Sequence, residues 1–296
     1  MRDEVRTELE RAKTELGIRH LTHVAQGANN WVYTGRGRAG QRYAVKVRPE
    51  GRGRFATAAW AASRLATHGV PVPVIAWHGV FVCVEKYCTG QPLDRLDAEP
   101  DLAEVADAVR RIHQIPVGGY GRLDPTGVGE FSCIHSWLLK PFPQPAGAPA
   151  PWAQLMTQIR SQLVEHAPLL DAVRPQLLHG DLRARHFYLD ATTVTGVIDW
   201  ESARGGDPLT DLGGWSLQEP AVLTDPLLSN YFAAEPISPA ALTRLTCYRL
   251  RIAPWLAAWH LEQDNNDLAE LQLRQIDTDL RNLSAGTPTV LPDPCL

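Results

Sequence analysis

The sequence contains no long apolar run, and no stretch approaches the roughly 20 residues that a membrane-spanning helix needs. Its beginning, Met1–Glu4, lacks the apolar segment of a secretory signal. Cysteine is sparse too: there are 5 cysteines, an odd number, and no two of them form a CxxC pair. This pattern is typical of incidental thiols in a reducing compartment. The sequence therefore predicts a cytoplasmic protein without a membrane partner.

A strong charge of either sign is also absent. The formal net charge is −4 and the pI is about 6.2, so the basic excess of proteins that bind nucleic acid or anionic membranes is missing. Hydrophobic residues make up 44% of the chain, which is enough for a full core in one large domain or two modest ones. We expect a globular protein with no nucleic-acid partner and no obligate protein partner.

The pattern of the chain changes near residue 90. Before it, short apolar stretches are separated by glycine turns, which is typical of antiparallel strands. The predicted strands cover Leu21–Ala25, Asn30–Thr34, Tyr43–Arg48 and Phe81–Lys86, with one helix at Arg54–His68. After Gly90, helical patterns dominate, at Asp101–Gln114, Pro151–Glu165, Leu209–Glu219, Pro239–Gln263 and Asp264–Leu283. The sequence predicts an α+β protein with a sheet-containing lobe at 1–88 and a larger, mainly helical lobe at 89–296.

The most informative segment runs from His179 to Glu201. Asp181 and Asp199 lie 18 positions apart, and each follows an apolar pair that predicts a short buried strand. We therefore expect a strand–loop–strand hairpin that brings the two carboxylates close together. Phosphoryl transfer uses two such groups, one to orient the attacking hydroxyl and one to hold Mg²⁺ against the phosphates.

Two features of the first lobe suit the same chemistry. The turn at Gln26–Asn30 lies between two predicted strands, and Gly27 allows its backbone amides to approach phosphate oxygens. Most turns of this kind are simple hairpin connections. Lys46 stands among apolar neighbours, and strand alternation places it on the face opposite Val45 and Val47. The alternative interpretation is that Lys46 is an ordinary surface lysine on a strand, without a role in phosphate binding.

In order and spacing, the glycine turn, Lys46, Asp181 and Asp199 resemble the aminoglycoside phosphotransferase family, distant relatives of protein kinases. The resemblance implies a two-lobed, protein-kinase-like fold with a small N-terminal antiparallel sheet lobe that contains one helix. It also implies that Asp181 accepts a hydrogen bond from the substrate hydroxyl and that Asp199 binds the metal. Arg183 would reach the γ-phosphate, although a solvated loop arginine is equally compatible with the sequence.

At one metal position the chain departs from the commonest family pattern. Five residues after Asp181 the family usually has Asn, and this chain has His186. In that respect it resembles the macrolide phosphotransferases and related antibiotic kinases. The resemblance makes His186 a metal ligand beside Asp199, with Mg²⁺ the expected ion and Mn²⁺ an alternative. The other interpretation is a structural histidine.

The nucleotide site carries a second departure. The resemblance assigns ATP or GTP, as co-substrate, to Gly27, Asn29, Asn30, Lys46 and Glu85. In the family, a Glu on the helix after the lysine strand pairs with the lysine, and here Ala58 occupies that position. Either another group holds Lys46, or the chain has partly lost its catalytic machinery.

Substrate choice is expected to depend on the helical part of the second lobe. The stretch 242–260 holds several basic and aromatic side chains and no acid, whereas pockets for polycationic aminoglycosides are lined with acids. The residues expected to contact the substrate are Arg244, Arg249, Trp255 and Trp259. This composition favours a macrolide or a nucleoside-type natural product. The plainer alternative is that the tryptophans belong to the core and the arginines are solvated.

Three functions remain open. The leading hypothesis is an O-phosphotransferase that moves the γ-phosphate of ATP or GTP to a hydroxyl of an antibiotic, for resistance or self-protection. A metabolic kinase for a sugar or an amino alcohol would use the same residues. Ala58 keeps open a pseudokinase-like binding or regulatory module, although Lys46, Asp181 and Asp199 are all present.

Overall fold

A computed structural model describes residues 1–27, 29–96, 102–233 and 235–288. Ala28, within the predicted turn, and Asp101, the first residue of a predicted helix, lie outside the described residues. In the described part of the chain, no helix combines the length and the apolar content that crossing a membrane requires.

Helices and strands alternate in the first part of the chain, and helices are longest in the last part. The helices are Asp3–Leu16 (α1), Phe55–Thr67 (α2), Ala103–Ile112 (α3), Ile134–Leu138 (α4), Trp152–Glu165 (α5), Ala167–Leu170 (α6), Leu209–Ser216 (α7), Ala221–Tyr231 (α8), Pro239–Glu262 (α9) and Asn266–Ser284 (α10). The strands are Leu21–Gln26 (β1), Trp31–Arg36 (β2), Arg42–Val47 (β3), Ile75–His78 (β4), Val82–Lys86 (β5), Gln91–Pro92 (β6), Tyr120–Leu123 (β7), Gly129–Phe131 (β8), Gln176–Leu178 (β9), Phe187–Asp190 (β10), Thr193–Val197 (β11) and Arg204–Gly206 (β12).

The chain forms two compact units. The first unit contains the described residues of 1–100 together with 123–127 and 185–203, and the second contains those of 101–122, 128–184 and 204–296. The segment that carries Asp199 therefore belongs to the first unit, and the segment that carries Asp181 belongs to the second. The boundary at residues 88 and 89 stays a prediction.

The first unit is built on a five-stranded antiparallel sheet in the order β1-β2-β3-β5-β4. Alternate valines of β3 and β5 point to one face of this sheet, and α1 covers them. Val5 and Leu9 of α1 are buried there against Val45, Val47 and their neighbours on β5. The predicted strands of this sheet and α2 are confirmed within a few residues. Helix α1 and strand β4 are not among the elements that the sequence predicts.

A small second sheet of the first unit has the order β11-β10-β6. Gly90 lies at its corner with a φ of 85°, a conformation that L side chains rarely adopt. A Cβ at this position would also overlap the carbonyl oxygen of Leu189. The corner between β5 and β6 therefore requires glycine.

The predicted hairpin between the two aspartate segments is wrong. Strand β9, which precedes Asp181, pairs with β12, whereas β11, which precedes Asp199, pairs with β10. The physical reason is local: β10 and β11 are joined by a two-residue connection, and Ala191 adopts a φ of 53° there. A short connection closes a hairpin at a low cost in chain entropy, so β11 pairs with its neighbour in sequence.

The second unit is mainly helical and is organised around α9. Ser238 caps this helix by accepting a hydrogen bond from the Ala241 amide (3.3 Å), and Pro239 occupies its first turn. Helix α9 packs against α5, α7 and α10. A four-stranded sheet in the order β8-β7-β12-β9 completes the unit and ends beside the loop of Asp181.

Candidate active site

Lys46 lies on the face of β3 that points away from the valine core. Its ammonium is 3.0 Å from a carboxylate oxygen of Glu85 and 3.4 Å from one of Asp199. Glu85 stands on β5, two residues from Cys83, which is the cross-strand partner of Lys46. Such diagonal neighbours share a face of the sheet. Burial on its own would lower the pKa of Lys46, but the two carboxylates outweigh it and hold that pKa well above its ordinary value.

The acid that contacts Lys46 therefore comes from the neighbouring strand and not from the helix, where the resemblance had led us to expect it. Ala58 on α2 is buried, with 2% exposure, and its methyl side chain offers no carboxylate to the lysine. Glu85 is itself buried, in a strand whose preceding residues Val82–Val84 are apolar. A lone acid in a mainly apolar strand is the only local sequence feature that could have indicated this pairing.

Asp199 has an unusual backbone. Its φ and ψ are 71° and 54°, in the left-handed region, which Asp tolerates better than most residues. Strained conformations of this kind concentrate at functional sites. The Asp199 side chain is 37% exposed, so its carboxylate combines a contact to a buried lysine with access to a ligand.

His186 lies next to Asp199 within the first unit. Its Nε2 is 3.7 Å from an Asp199 carboxylate oxygen and accepts a hydrogen bond from Arg185 Nε (3.2 Å). An Nε2 that accepts carries a lone pair rather than a proton, and the carboxylate oxygen also carries lone pairs. Because Nε2 has a single lone pair, a divalent cation between these two atoms would displace the hydrogen bond from Arg185. The donor set of one imidazole and one carboxylate suits Mn²⁺ at least as well as Mg²⁺.

The glycine turn is tied to the segment after Asp199. The amide of Gly27 donates to the carbonyl of Asn30 (2.9 Å), and the side-chain amide of Asn30 donates to the Glu201 carboxylate (2.6 Å). Burial raises the pKa of Glu201, while Lys46 and the bond from Asn30 oppose that shift. Asn29 is exposed in the same turn. Sequence reasoning did not include Glu201 among the site residues.

In the second unit, the loop that carries Asp181 is held from beneath by Asp211. The two carboxylate oxygens of Asp211 accept from the amides of His179 (2.7 Å) and Gly180 (2.9 Å), and His113 contacts one of them (3.2 Å). Burial would raise the pKa of Asp211, but these partners outweigh it and lower the pKa. The amide of Asp181 donates to Nδ1 of His179 (3.3 Å). The loop is therefore braced on both sides of Gly180.

Arg183 is engaged within this loop. Its Nε donates to the Glu219 carboxylate (2.6 Å) and its Nη1 to the side-chain oxygen of Gln218 (2.8 Å). Glu219 also accepts from the amide of Ala184 (3.1 Å). The arginine is thus part-buried and held by Glu219 and Gln218, and its contact with a phosphate stays a prediction.

Asp181 lines a cavity of about 440 Å³ that lies wholly within the second unit. We call it the Asp181 cavity. Its wall combines charged, polar and aromatic side chains. The lining residues are Arg122, Glu130, Trp137, Lys140, Gly180, Asp181, Leu182, Arg204, Thr210, Asp211, Gly214, Gln218, Arg251, Ile252, Trp255 and Leu256.

Of the four residues expected to contact the substrate, Trp255 lines this cavity. Arg249 is fully buried against Asp279 of α10, with its Nη2 2.6 Å from the carboxylate. Arg244 pairs with Asp207 (3.3 Å), and Trp259 is 45% exposed with its ring edge-on to His260. The three are therefore placed elsewhere in the unit, because the faces of α9 that carry them meet other elements or solvent.

A family model described as the phosphotransferase enzyme family matches residues 20–245. Among curated proteins, hygromycin-B 4-O-kinase of Escherichia coli is 24% identical over 246 residues, which cover 75% of this chain and 69% of that protein.

Two solved structures illustrate the likeness in fold. One is a thermostable mutant of the aminoglycoside phosphotransferase APH(4)-Ia in a ternary complex with AMP-PNP and hygromycin B, with a TM-score of 0.77, 21% identity, and coverage of 94% of this chain and 99% of that chain. The other is a choline/ethanolamine kinase family protein from Mesorhizobium loti, with a TM-score of 0.64, 21% identity, and coverage of 94% and 99%. The predicted kinase-like α+β fold is confirmed.

Proposed function

The chain belongs to the phosphotransferase enzyme family, whose model matches well over half of its length, and we propose that it transfers the γ-phosphate of ATP or GTP to a hydroxyl of a small-molecule antibiotic. Resistance or self-protection would be the biological result. The residues that we assign to the nucleotide and the metal belong to the first unit, and Asp181, which we assign to the acceptor hydroxyl, belongs to the second.

The observation that carries the proposal is Lys46 between two carboxylates. A buried ammonium is costly unless it is paired. Here Lys46 stays charged and is shared between Glu85 and the partly exposed Asp199. Because Glu85 replaces the missing helix acid, Ala58 no longer favours a pseudokinase.

Asp181 would accept a hydrogen bond from the acceptor hydroxyl and take its proton as the new O–P bond forms and the nucleoside diphosphate leaves. Asp211 would position Asp181 without contacting the acceptor, because its hydrogen bonds to the amides of His179 and Gly180 fix the Asp181 loop. Asp199 and His186 would hold Mg²⁺ or Mn²⁺, which neutralises the charge that builds on the transferring phosphoryl group.

For the acceptor, we favour a macrolide or a nucleoside-type natural product over a polycationic aminoglycoside. The wall of the Asp181 cavity carries four basic side chains, Arg122, Lys140, Arg204 and Arg251, and three acids, Glu130, Asp181 and Asp211. A polycation would meet a wall with more positive than negative groups. Trp137 and Trp255 add aromatic surface for a neutral scaffold.

Incubation of the protein with ATP or GTP and either metal, against a panel of antibiotics, tests the proposal. The panel should contain macrolides, nucleoside antibiotics and two aminoglycosides, one of them hygromycin B. We expect the mass of one phosphoryl group to be added to a macrolide or nucleoside antibiotic. Transfer to the aminoglycosides alone would contradict the substrate class, and no nucleotide turnover with any acceptor would contradict the function.

The strand-borne partner of Lys46 leads to a prediction on three variants. Lys46→Ala and Glu85→Ala should both weaken nucleotide binding or lower turnover. Ala58→Glu alone should bring no gain and should cost about 1–3 kcal/mol of stability, because it forces a longer side chain into a packed position. In the Glu85→Ala background, Ala58→Glu should recover part of the loss. Nucleotide titration and initial rates measure both effects, and unchanged affinity and turnover in Lys46→Ala would remove the lysine from the site.

His186 leads to a prediction on metal preference. His186→Asn restores the commoner family residue and should keep activity while shifting the preference from Mn²⁺ towards Mg²⁺, because Mg²⁺ prefers oxygen ligands. His186→Ala should lose most activity. Initial rates with each metal measure this. An active Ala variant with the metal preference of the original protein would show that the histidine is structural.

A further inference from the structure

Arg251 is a buried cation on the wall of the Asp181 cavity. It has 3% exposure, and its guanidinium carbon lies 4.8–5.9 Å from the ring centres of Phe142, Trp137 and Trp255. Its contacts to the carbonyl oxygens of Trp137 and Lys140 are long, at 3.4 Å. Its Nη1 has no hydrogen-bond partner in the described part of the chain. A guanidinium so placed retains the capacity to donate to a ligand.

The acidic residues of this wall interact electrostatically with Arg204 and not with Arg251. Asp211, Asp181 and Glu130 each act on Arg204 and oppose the lowering of its pKa by burial. For Arg251, burial and the charge of Arg204 both lower the pKa, to about 10. Arg251 therefore remains protonated near neutral pH, and among the described residues no carboxylate forms an ion pair with it.

A second buried group of the same wall also lacks a partner. The hydroxyl of Thr210 is buried and makes no hydrogen bond among the described residues, and Thr210 lines the Asp181 cavity. Buried polar atoms in folded proteins almost always have a partner, so each exception calls for a physical reason. One ligand group that accepts from both a guanidinium and a hydroxyl would satisfy both atoms.

We propose that the acceptor bound in the Asp181 cavity carries a carboxylate, which Arg251 and Thr210 bind. A carboxylate can accept from the Nη1 of Arg251 and from the hydroxyl of Thr210, the two buried donors without a partner among the described residues, and a bond between ionised groups is stronger than one between neutral groups. The apolar part of the acceptor would lie against Ile252, Trp255 and Leu256. The cavity volume of about 440 Å³ is in the range of small-molecule sites. The inference rests on the proposed function for the place of the acceptor hydroxyl at Asp181.

Three probes of nearly equal size and different charge test this directly: phenylacetate, phenethyl alcohol and phenethylamine. Binding to the full chain is followed by calorimetry and by the shifts of tryptophan indole N–H resonances. We expect phenylacetate to bind at least about tenfold more tightly than phenethylamine, the size of effect that one charged hydrogen bond gives. Arg251→Met should remove at least about tenfold of phenylacetate affinity and change that of phenethyl alcohol less than about twofold.

Arg122→Met is the matched control, because it removes a charge from the same wall at an exposed position and leaves the buried donor in place. It should weaken phenylacetate binding much less than Arg251→Met. Thr210→Val, which is nearly isosteric, should weaken phenylacetate selectively and keeps the test decisive if Arg251→Met does not fold. In the unaltered protein, the comparison of the three probes needs no variant.

Equal or tighter binding of phenethylamine would overturn the inference. So would a uniform loss of all three probes in both variants, because a merely structural arginine or threonine would produce that result. Phenylacetate binding without any nucleotide-dependent transfer would support a carboxylate-binding site at Arg251 and Thr210 and overturn the proposed function. Transfer to antibiotic hydroxyls together with tighter binding of phenethylamine than of phenylacetate would support the proposed function and overturn the inference.

Discussion

Asp181→Asn should lower the turnover of phosphate transfer by at least ~10²-fold, the usual contribution of a positioned general base. The amide has nearly the same shape as the carboxylate but cannot take the hydroxyl proton. Nucleotide affinity should be nearly unchanged, because the role assigned to Asp181 is to accept the proton of the acceptor hydroxyl and not to bind the nucleotide. Initial rates with saturating nucleotide, together with a nucleotide titration, measure the two quantities separately.

Asp190→Asn is the matched control for this change. It is the same substitution at an exposed residue at the end of β10, and it should leave turnover unaltered. Turnover near that of the original protein in Asp181→Asn would remove Asp181 from the chemistry. Equal losses in both variants would show that the effect is not specific to the Asp181 loop.

Asp279→Ala should lower the free energy of unfolding by about 3–5 kcal/mol, the usual cost of leaving one partner of a buried ion pair without its counter-charge. Arg249 and Asp279 are both fully buried, with two hydrogen bonds of 2.6 and 2.9 Å between them. Removing the carboxylate leaves a guanidinium in the packed contact between α9 and α10. The midpoint of urea-induced unfolding measures the loss.

Two further variants separate the charge from the packing. In Arg249→Met/Asp279→Leu both charges are replaced by apolar groups, and stability should recover to well above that of Asp279→Ala. Asp277→Ala on the same helix breaks an exposed ion pair with Arg281 and should cost about 1 kcal/mol or less. A loss in Asp279→Ala no larger than in Asp277→Ala would contradict the stabilising role of the buried pair.

The comparison of Arg249 with Lys46 shows what could be predicted from the sequence. Lys46 and its orientation follow from alternation in a single strand, which is local information. Arg249 stands among residues that look suitable for a ligand, and its burial depends on Asp279, 30 residues away on another helix. No periodicity within α9 reveals a counter-charge on α10. Arg251, one helical turn before Trp255, shares the composition of that stretch, and its burial among aromatic rings shows only in the folded unit.

The same distinction explains the error in strand pairing. The apolar pairs before Asp181 and Asp199 correctly indicate short strands, but the choice of partner is not encoded in either pair. Strand β9 pairs with β12, which follows Asp199 in the chain. The sequence leaves the partner of Lys46 equally open, because the contact of Glu85 with this lysine depends on the register of β3 and β5.

The first unit draws its last segment, 185–203, from a stretch that follows nearly 60 residues of the second unit. During synthesis the chain emerges from its N-terminus, so β1 to β5 leave the ribosome long before Asp199. Until then Lys46 has Glu85 alone as a counter-charge, and β6 has no β10 to pair with. The final closure of the first unit must wait until about two thirds of the chain has been translated. Lys46 can therefore contact both carboxylates only at a late stage of translation.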